Sequence, residues 1–157
     1  MPKVIDTNVL VVANGKSNQA SIDCELSCIE FIETYKNLTI ALDHTGLIMD
    51  EYEIHCSYKG SPGLGDKFFK YLYDNQYDPS SNINLVNITP CDDEAKSFEE
   101  LPDNEFDRSD RKLLATAVVA NADVVNATDS DWIEQKELMQ QLGVTVTQLC
   151  PDCCDRH

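Results

Sequence analysis

Three features of the sequence predict an α/β fold with a mainly parallel central sheet. Short apolar runs rich in β-branched residues recur along the chain, starting with the stretch Val4 to Val12. That is the pattern of strands buried on both faces. Between these runs lie longer segments with apolar residues at helical spacing, such as Ser21–Tyr35 and Thr45–Tyr58. The two kinds of segment alternate from start to finish, as in a chain of crossover units. The length of 157 residues suits one domain with a proper core. We expect residues 1–149 to form that domain and residues 150–157 to form a Cys-rich tail.

The elements follow in order. Val4 to Val12 reads as the first strand, with Asp6 in its middle. A carboxylate inside a buried run is costly unless it meets a cation or hydrogen-bond donors. Asp6 therefore either ends the strand and points into a site, or caps a helix, a role that Asp, Thr and Asn all fill well. After a turn, Ser21–Tyr35 is a helix with Ile22, Leu26, Ile29 and either Phe31 or Ile32 on its inner face. Cys24 and Cys28 fall on a neighbouring stripe and read as small core residues, metal binding being the alternative. Leu38–Asp43 is the second strand. The helix Thr45–Tyr58 turns Leu47, Ile48, Tyr52 and Ile54–His55 inward. Lys59 to Gly65 is a glycine-rich loop without the Walker ending, so it reads as a plain loop in preference to a phosphate cradle. Asp66–Asn75 is a helix whose aromatics read as core. Asn82–Thr89 alternates as a third strand, and Asp92–Leu101 is expected to be a short acidic helix. Phe106 to Ala120 holds a helix capped by Asp107 or Ser109. Ala122–Asp129 is a strand, Asp131–Leu142 a helix stopped by Gly143, and Val144–Leu149 the last strand.

With 12 basic and 28 acidic residues the net charge is −16. That excludes nucleic-acid binding through bulk charge; such contact would need a local basic patch or bridging metal ions. No apolar run is long enough to span a membrane, and the N-terminal run is too short and broken for a signal peptide. Seven cysteines without a regular framework read as thiols in a reducing cytoplasm. The terminal sequence Cys150-Pro151-Asp152-Cys153-Cys154-Asp155-Arg156-His157 invites a zinc reading. No second separated Cys pair stands opposite it, so a tail with reactive thiols is preferred.

The acidic residues carry the functional reading. In parallel sheets, ligands sit beyond the carboxyl ends of the strands. Asp6 and Asp129 lie at or near two such ends. Asp110 starts the helix that feeds the strand ending at Asp129, and Glu51 lies on a helix that can pack beside the first strand. Four segments thus deliver carboxylates to one edge. Oxygen ligands suit hard divalent cations, and a pair of such ions can activate water and stabilise both oxygens of a phosphodiester displacement. The metal would then supply the positive charge that the chain lacks.

At these residues the chain resembles the PIN-domain nuclease family. The matches are Val4-Ile5-Asp6-Thr7-Asn8-Val9-Leu10, Met49-Asp50-Glu51-Tyr52, Asp110-Arg111-Lys112-Leu113-Leu114-Ala115-Thr116-Ala117 and Ala127-Thr128-Asp129-Ser130-Asp131-Trp132. The four stand in the family's order and reach from the start to about Trp132. The resemblance implies a three-layer α/β/α sandwich and Mg²⁺- or Mn²⁺-dependent endoribonuclease activity, of a toxin, defence or RNA-processing kind. Asp6, Glu51, Asp110 and Asp129 match the family's metal-binding positions. Asp131 matches a frequent extra acidic position, and Asn8 and Thr128 match supporting polar residues. It further implies RNA as substrate, products with a 5′-phosphate and a 3′-hydroxyl, a homodimer, and an antitoxin or regulatory protein as partner. Glu53 rivals Glu51, and Asp107 rivals Asp110, although a cap is preferred for Asp107. The segment Lys59–Pro90 is longer than in the smallest toxin-type members, and the net charge is more negative than the activity suggests. Arg111 and Lys112, together with Lys59 and Lys67, are candidate phosphate contacts, ordinary solvated or paired surface being the alternative. Two other classes stay in view. One is a catalytically silent PIN-like scaffold, which the complete acid set argues against. The other is a haloacid-dehalogenase-like phosphatase, which would need an Asp where this chain has Asn8.

Overall fold

The computed structural model describes residues 1–151. Its strands are β1 (Lys3–Ile5), β2 (Ile40–Asp43), β3 (Ile83–Val86), β4 (Asp123–Asn126) and β5 (Val146–Gln148). Its α-helices are α1 (Thr7–Ala13), α2 (Ile22–Glu33), α3 (Leu47–His55), α4 (Leu64–Asn75), α5 (Arg111–Ala120), α6 (Asp131–Glu134) and α7 (Lys136–Leu142). The five strands form one sheet in the order β3-β2-β1-β4-β5, and every pair is parallel. The chain walks outward from β1 to β3, then crosses back to β4 on the other side of β1. Because such crossovers are right-handed, this reversal sends helices to both faces. Helices α1, α2 and α4 pack on one another, and α5 lies across β1 to β4. The arrangement is α/β as the sequence predicts, and it is compatible with three layers. Among the described residues no helix is long and apolar enough to cross a membrane.

The opening run divides at Asp6, which corrects the expected strand through Val12. Only Lys3–Ile5 pairs in the sheet. Asp6 then caps α1 by accepting the Asn8 backbone N–H at 3.2 Å. Val9, Leu10 and Val12 are buried on that helix. It is covered on so many sides that its apolar residues leave no helical period, and packing overrides their β-branched preference. Both readings of Asp6 hold at once, since the cap stands at the carboxyl end of a central strand.

Three further expectations change. On α2 the buried stripe is Cys24, Cys28 and Ile32, whereas Ile22 and Leu26 are 79% and 50% exposed. The stripe is selected by Cys150, which is buried and disulfide-bonded to Cys24. The expectation of unpaired thiols is therefore corrected at these two positions, and Cys150 belongs to the core and not to the tail. Residues 92–101 form turns in place of a helix, closed by a bridge between Pro90 and Phe98 and by Ser97 at φ 67°. Finally, the expected helix Asp131–Leu142 is broken at Gln135 into α6 and α7. Gly143, at φ 71°, ends α7 as expected.

The glycine-rich loop has a structural purpose. Asp66 accepts the backbone N–H groups of Ser57 at 2.8 Å and Gly63 at 2.9 Å, and Asn14 at the end of α1 accepts the Asp66 N–H at 3.0 Å. These bonds commit the amides of Ser57, Gly63 and Asp66 to the junction itself. Gly65 allows α4 to touch α1, because a Cβ there would lie 2.4 Å from the Leu10 carbonyl oxygen.

Candidate metal centre

The chain reverses direction across the sheet between β1 and β4, and a crevice opens beyond strand ends at such a switch point. Asp6 follows the last residue of β1, and Asp129 lies three residues beyond β4. Asp110 closes a short 3₁₀ turn, Arg108–Asp110, directly ahead of α5. One carboxylate oxygen from each of the three lies within 4.8 Å of the other two. Asp6 and Asp110 are buried, and Asp129 is partly exposed.

Such crowding perturbs ionisation. Burial pushes the Asp6 carboxyl up to about 7, and the charges of Asp129 and Glu51 push the same way. Two hydrogen bonds oppose the rise, from Trp132 and from the Asn8 amide. The Trp132 Nε1–H donates to Asp6 Oδ2 at 2.7 Å. Asp110 is raised further still, first by burial, then by the charge of Asp6 and by hydrogen bonding to Asp129. A divalent cation would reverse both shifts by replacing repulsion with attraction. The donor set is entirely oxygen, which fits a hard cation and not a soft one.

The frame around the acids is built on Asn126, the fully buried last residue of β4. Its Nδ2 donates to the Asp129 carbonyl at 2.8 Å and to Gln148 Oε1 at 2.7 Å. Its Oδ1 accepts from Asn8 Nδ2 at 2.9 Å and from the Asp129 amide at 3.3 Å. Asn8 completes the link by accepting the Ala127 N–H at 3.0 Å. Asn126 thus ties the ends of β1, β4 and β5 and fixes the turn that presents Asp129. Sequence reasoning missed Asn126 and Trp132. The signal for Asn126 was present: a polar side chain inside the buried run Val124-Val125-Asn126-Ala127 needs partners for the same reason as Asp6.

The remaining expected residues are placed as follows. Glu51 stands beside this cluster, where it accepts from the Thr7 hydroxyl and pairs with Lys112 Nζ at 2.7 Å. Its rival Glu53 is exposed. The Asp131 amide donates to Asp129 Oδ1 at 2.9 Å, and its carboxylate accepts the Asp107 N–H at 3.0 Å. Asp131 therefore orients Asp129 and holds the loop ahead of α5. Asp107 caps the 3₁₀ turn ahead of α5, accepting from the Ser109 amide at 3.0 Å, and α5 itself begins without a side-chain cap. Thr128, Asn8, Thr7, Glu51 and His55 line a cleft of about 440 Å³ whose far wall is Ser17–Gln19. No protein-family model, curated protein or solved structure matches the chain.

Among the candidate phosphate contacts, Arg111 is corrected. It is buried, and its guanidinium donates to the carbonyls of Phe106 at 3.0 Å, Glu94 at 2.7 Å and Asn104 at 2.9 Å, and to Ser97 Oγ at 3.0 Å. It organises the turns of residues 92–107, and all three guanidinium nitrogens are bonded there. Lys112 lies beside the acids but is held by Glu51 and the Ser109 carbonyl. Lys59 and Lys67 are exposed at the Asp66 junction, near the opposite end of α1 from Asp6.

Proposed function

We propose that the chain is a metal-dependent endoribonuclease of the PIN-domain type, with a three-layer α/β/α fold. The observation that carries this reading is the convergence of Asp6, Asp110 and Asp129 at the switch point of the sheet. Burial and neighbouring charge raise Asp6 and Asp110, so the cluster is expensive to assemble without a cation. In this reading the three aspartates hold Mg²⁺ or Mn²⁺, and Glu51 supplies a fourth oxygen when Lys112 is drawn toward substrate phosphate. A cation bound there supplies Lewis acidity at the phosphoryl group and activates the attacking water. Asn126 and Asn8 fix the spacing of the acids, Trp132 holds the orientation of Asp6, and Asp131 holds that of Asp129. The polar cleft beside Glu51 and Thr128 receives a single strand, and in-line hydrolysis leaves a 5′-phosphate and a 3′-hydroxyl. RNA as the polymer, a homodimer, an antitoxin or regulatory partner and a cytoplasmic setting belong to the same proposal.

The test is cleavage of mixed single-stranded RNA and DNA in Mn²⁺, Mg²⁺ or EDTA, comparing the wild type with Asp6→Asn and Asp110→Asn. Metal-dependent cutting of RNA that is lost in both variants is the expected outcome. The Lys112–Glu51 ion pair favours a second reading, in which a protein cation neutralises the acids and the chain is a silent scaffold. Absence of both cutting and Mn²⁺-induced thermal stabilisation would select that reading. The phosphatase alternative is weakened by Asn8, whose amide is committed to β4.

A further inference from the structure

A second cluster lies outside the acidic centre. Cys24 and Cys28 are one turn apart on α2, and Cys150 follows β5, so the fold joins positions 126 residues apart. The three sulfurs lie within 4.8 Å of one another, and all three residues are buried. Cys24 and Cys150 form a disulfide, and Cys28 Sγ is 3.9 Å from Cys150 Sγ. Thiolates around a tetrahedral zinc ion, at Zn–S of about 2.3 Å, stand about 3.8 Å apart. The Cys28–Cys150 separation already has that value. A cleft of about 150 Å³ reaches the cluster past Ser21, Ser27 and Leu149, giving an ion a way in and a fourth donor room to approach.

We propose that, in the reduced chain, Cys24, Cys28 and Cys150 bind a thiophilic divalent cation of the Zn²⁺ class. The linear sequence argued against zinc because no second Cys pair stood opposite the C-terminal one; the fold brings a pair against Cys150. Cys24-x₃-Cys28 stands against Cys150, which opens the sequence Cys150-x₂-Cys153. Cys153, Cys154 and His157, the other residues of the expected zinc tail, lie outside the described residues. Soft sulfur here and hard oxygen at the aspartates would sort two metals on one chain.

The disulfide and the metal site are alternative states of the same side chains. A dithiol reductant gives two electrons and two protons to the Cys24–Cys150 bond. The S–S bond breaks, two thiols form, and the reductant closes its own disulfide. On loading, each of the three thiols releases a proton to solvent as its sulfur takes the cation. The ion then replaces the disulfide as the tie between α2 and the segment after β5.

The test uses the full chain, reduced with a phosphine under anaerobic conditions, stripped of metal and titrated with Co²⁺. Expected are thiolate-to-metal charge-transfer and tetrahedral ligand-field bands that saturate at one ion per chain and are abolished by one equivalent of Zn²⁺. Cys28→Ser and Cys150→Ser should each lose the bands. Cys56→Ser, Cys91→Ser and Asp6→Asn should keep them. Loss in one of Cys153→Ser, Cys154→Ser or His157→Ala would support the site and name its fourth donor. Two results overturn the proposal. One is a reduced wild type, folded by circular dichroism, that gives no such bands, or bands that survive Cys28→Ser and Cys150→Ser. The other is a chain that unfolds on reduction and is not restored by Zn²⁺.

Discussion

Asp6 provides the sharpest physical test of the acidic centre, because its ionisation is coupled to stability and to an optical probe. Its carboxyl is raised from 3.8 to about 7 in the folded, metal-free chain. Between those values the folded chain keeps a proton that the unfolded chain has released. Folding therefore takes up a proton there, and stability falls as pH rises. The stabilising effect is complete below the unfolded value and is lost as pH rises through the folded one. At roughly 1.36 kcal/mol for each tenfold change in proton affinity, the loss approaches about 4 kcal/mol for this group. For a chain of this length, about 2–4 °C per kcal/mol translates that into a fall in Tm of roughly 10 °C. Asp110, raised in the same direction, extends the decline to higher pH. The assay is thermal unfolding in EDTA from pH 4 to 8, with Asp6→Asn as the control that shares the background repulsion of an acidic chain. Trp132, the one tryptophan, touches Asp6 through Nε1, so its fluorescence should titrate with a midpoint near 7. Saturating Mn²⁺ should flatten the wild-type Tm profile, because the cation holds the carboxylates ionised. Parallel Tm profiles for wild type and Asp6→Asn in EDTA, with no fluorescence inflection between pH 5 and 8, would refute the reasoning.

The other predictions rest on single side chains. Asn126→Ala removes the amide that links Asn8, Asp129 and Gln148, leaving buried groups unpaired. It should cost about 2–3 kcal/mol and weaken Mn²⁺-induced stabilisation, read by thermal shift with and without the ion. Arg111→Met should destabilise by about 3–5 kcal/mol, since several carbonyls lose their only named charged donor. Limited proteolysis should then cut within residues 92–107, and the salt dependence of RNA binding should keep its slope. Lys112→Met frees Glu51 from its ion pair, so the Mn²⁺ midpoint in the thermal-shift titration should move several-fold lower; an unchanged midpoint would remove Glu51 from the ligand set. Trp132→Phe retains ring packing on Phe106 but deletes the donor to Asp6. It should steepen the loss of metal-free stability between pH 5 and 8.

The class of fold and three converging acids were legible in the sequence, and the reasons differ from those for what was not. Asp6 and Asp129 were found because carboxylates beside buried β-branched runs demand an explanation that solvent cannot give. The boundary at Asp6 was obscured by α1, whose burial erases the periodicity that separates helix from strand. The inner face of α2 was misassigned because hydropathy favoured Ile22 and Leu26, whereas Cys150, far away in sequence, selects the Cys24–Cys28 stripe. Residues 92–101 have a helical composition, but the Glu94 carbonyl and the Ser97 hydroxyl are turned toward Arg111, a tertiary demand that local propensity cannot register.

Arg111 and Asn126 show where residue-type reasoning stops. Arg111 follows Asp110 and Asn126 stands three residues before Asp129, and only their partners distinguish their roles. An arginine next to Asp110 suggests phosphate, but a buried guanidinium needs acceptors, and a nearby loop of turns supplies three carbonyls and the Ser97 hydroxyl. An asparagine at a strand end suggests a turn, but once the strand is central and parallel, its amide can tie its own strand's end to those of both neighbours. The acidic chain can then hold three carboxylates together because their positions are set by uncharged amides and an indole, none of which competes for a cation. Charge thus governs what the centre can bind, while neutral hydrogen bonds govern where its ligands stand. Substitutions of the two kinds should separate experimentally: loss of an acid should lift stability without metal above about pH 7, and loss of an amide should lower it at every pH.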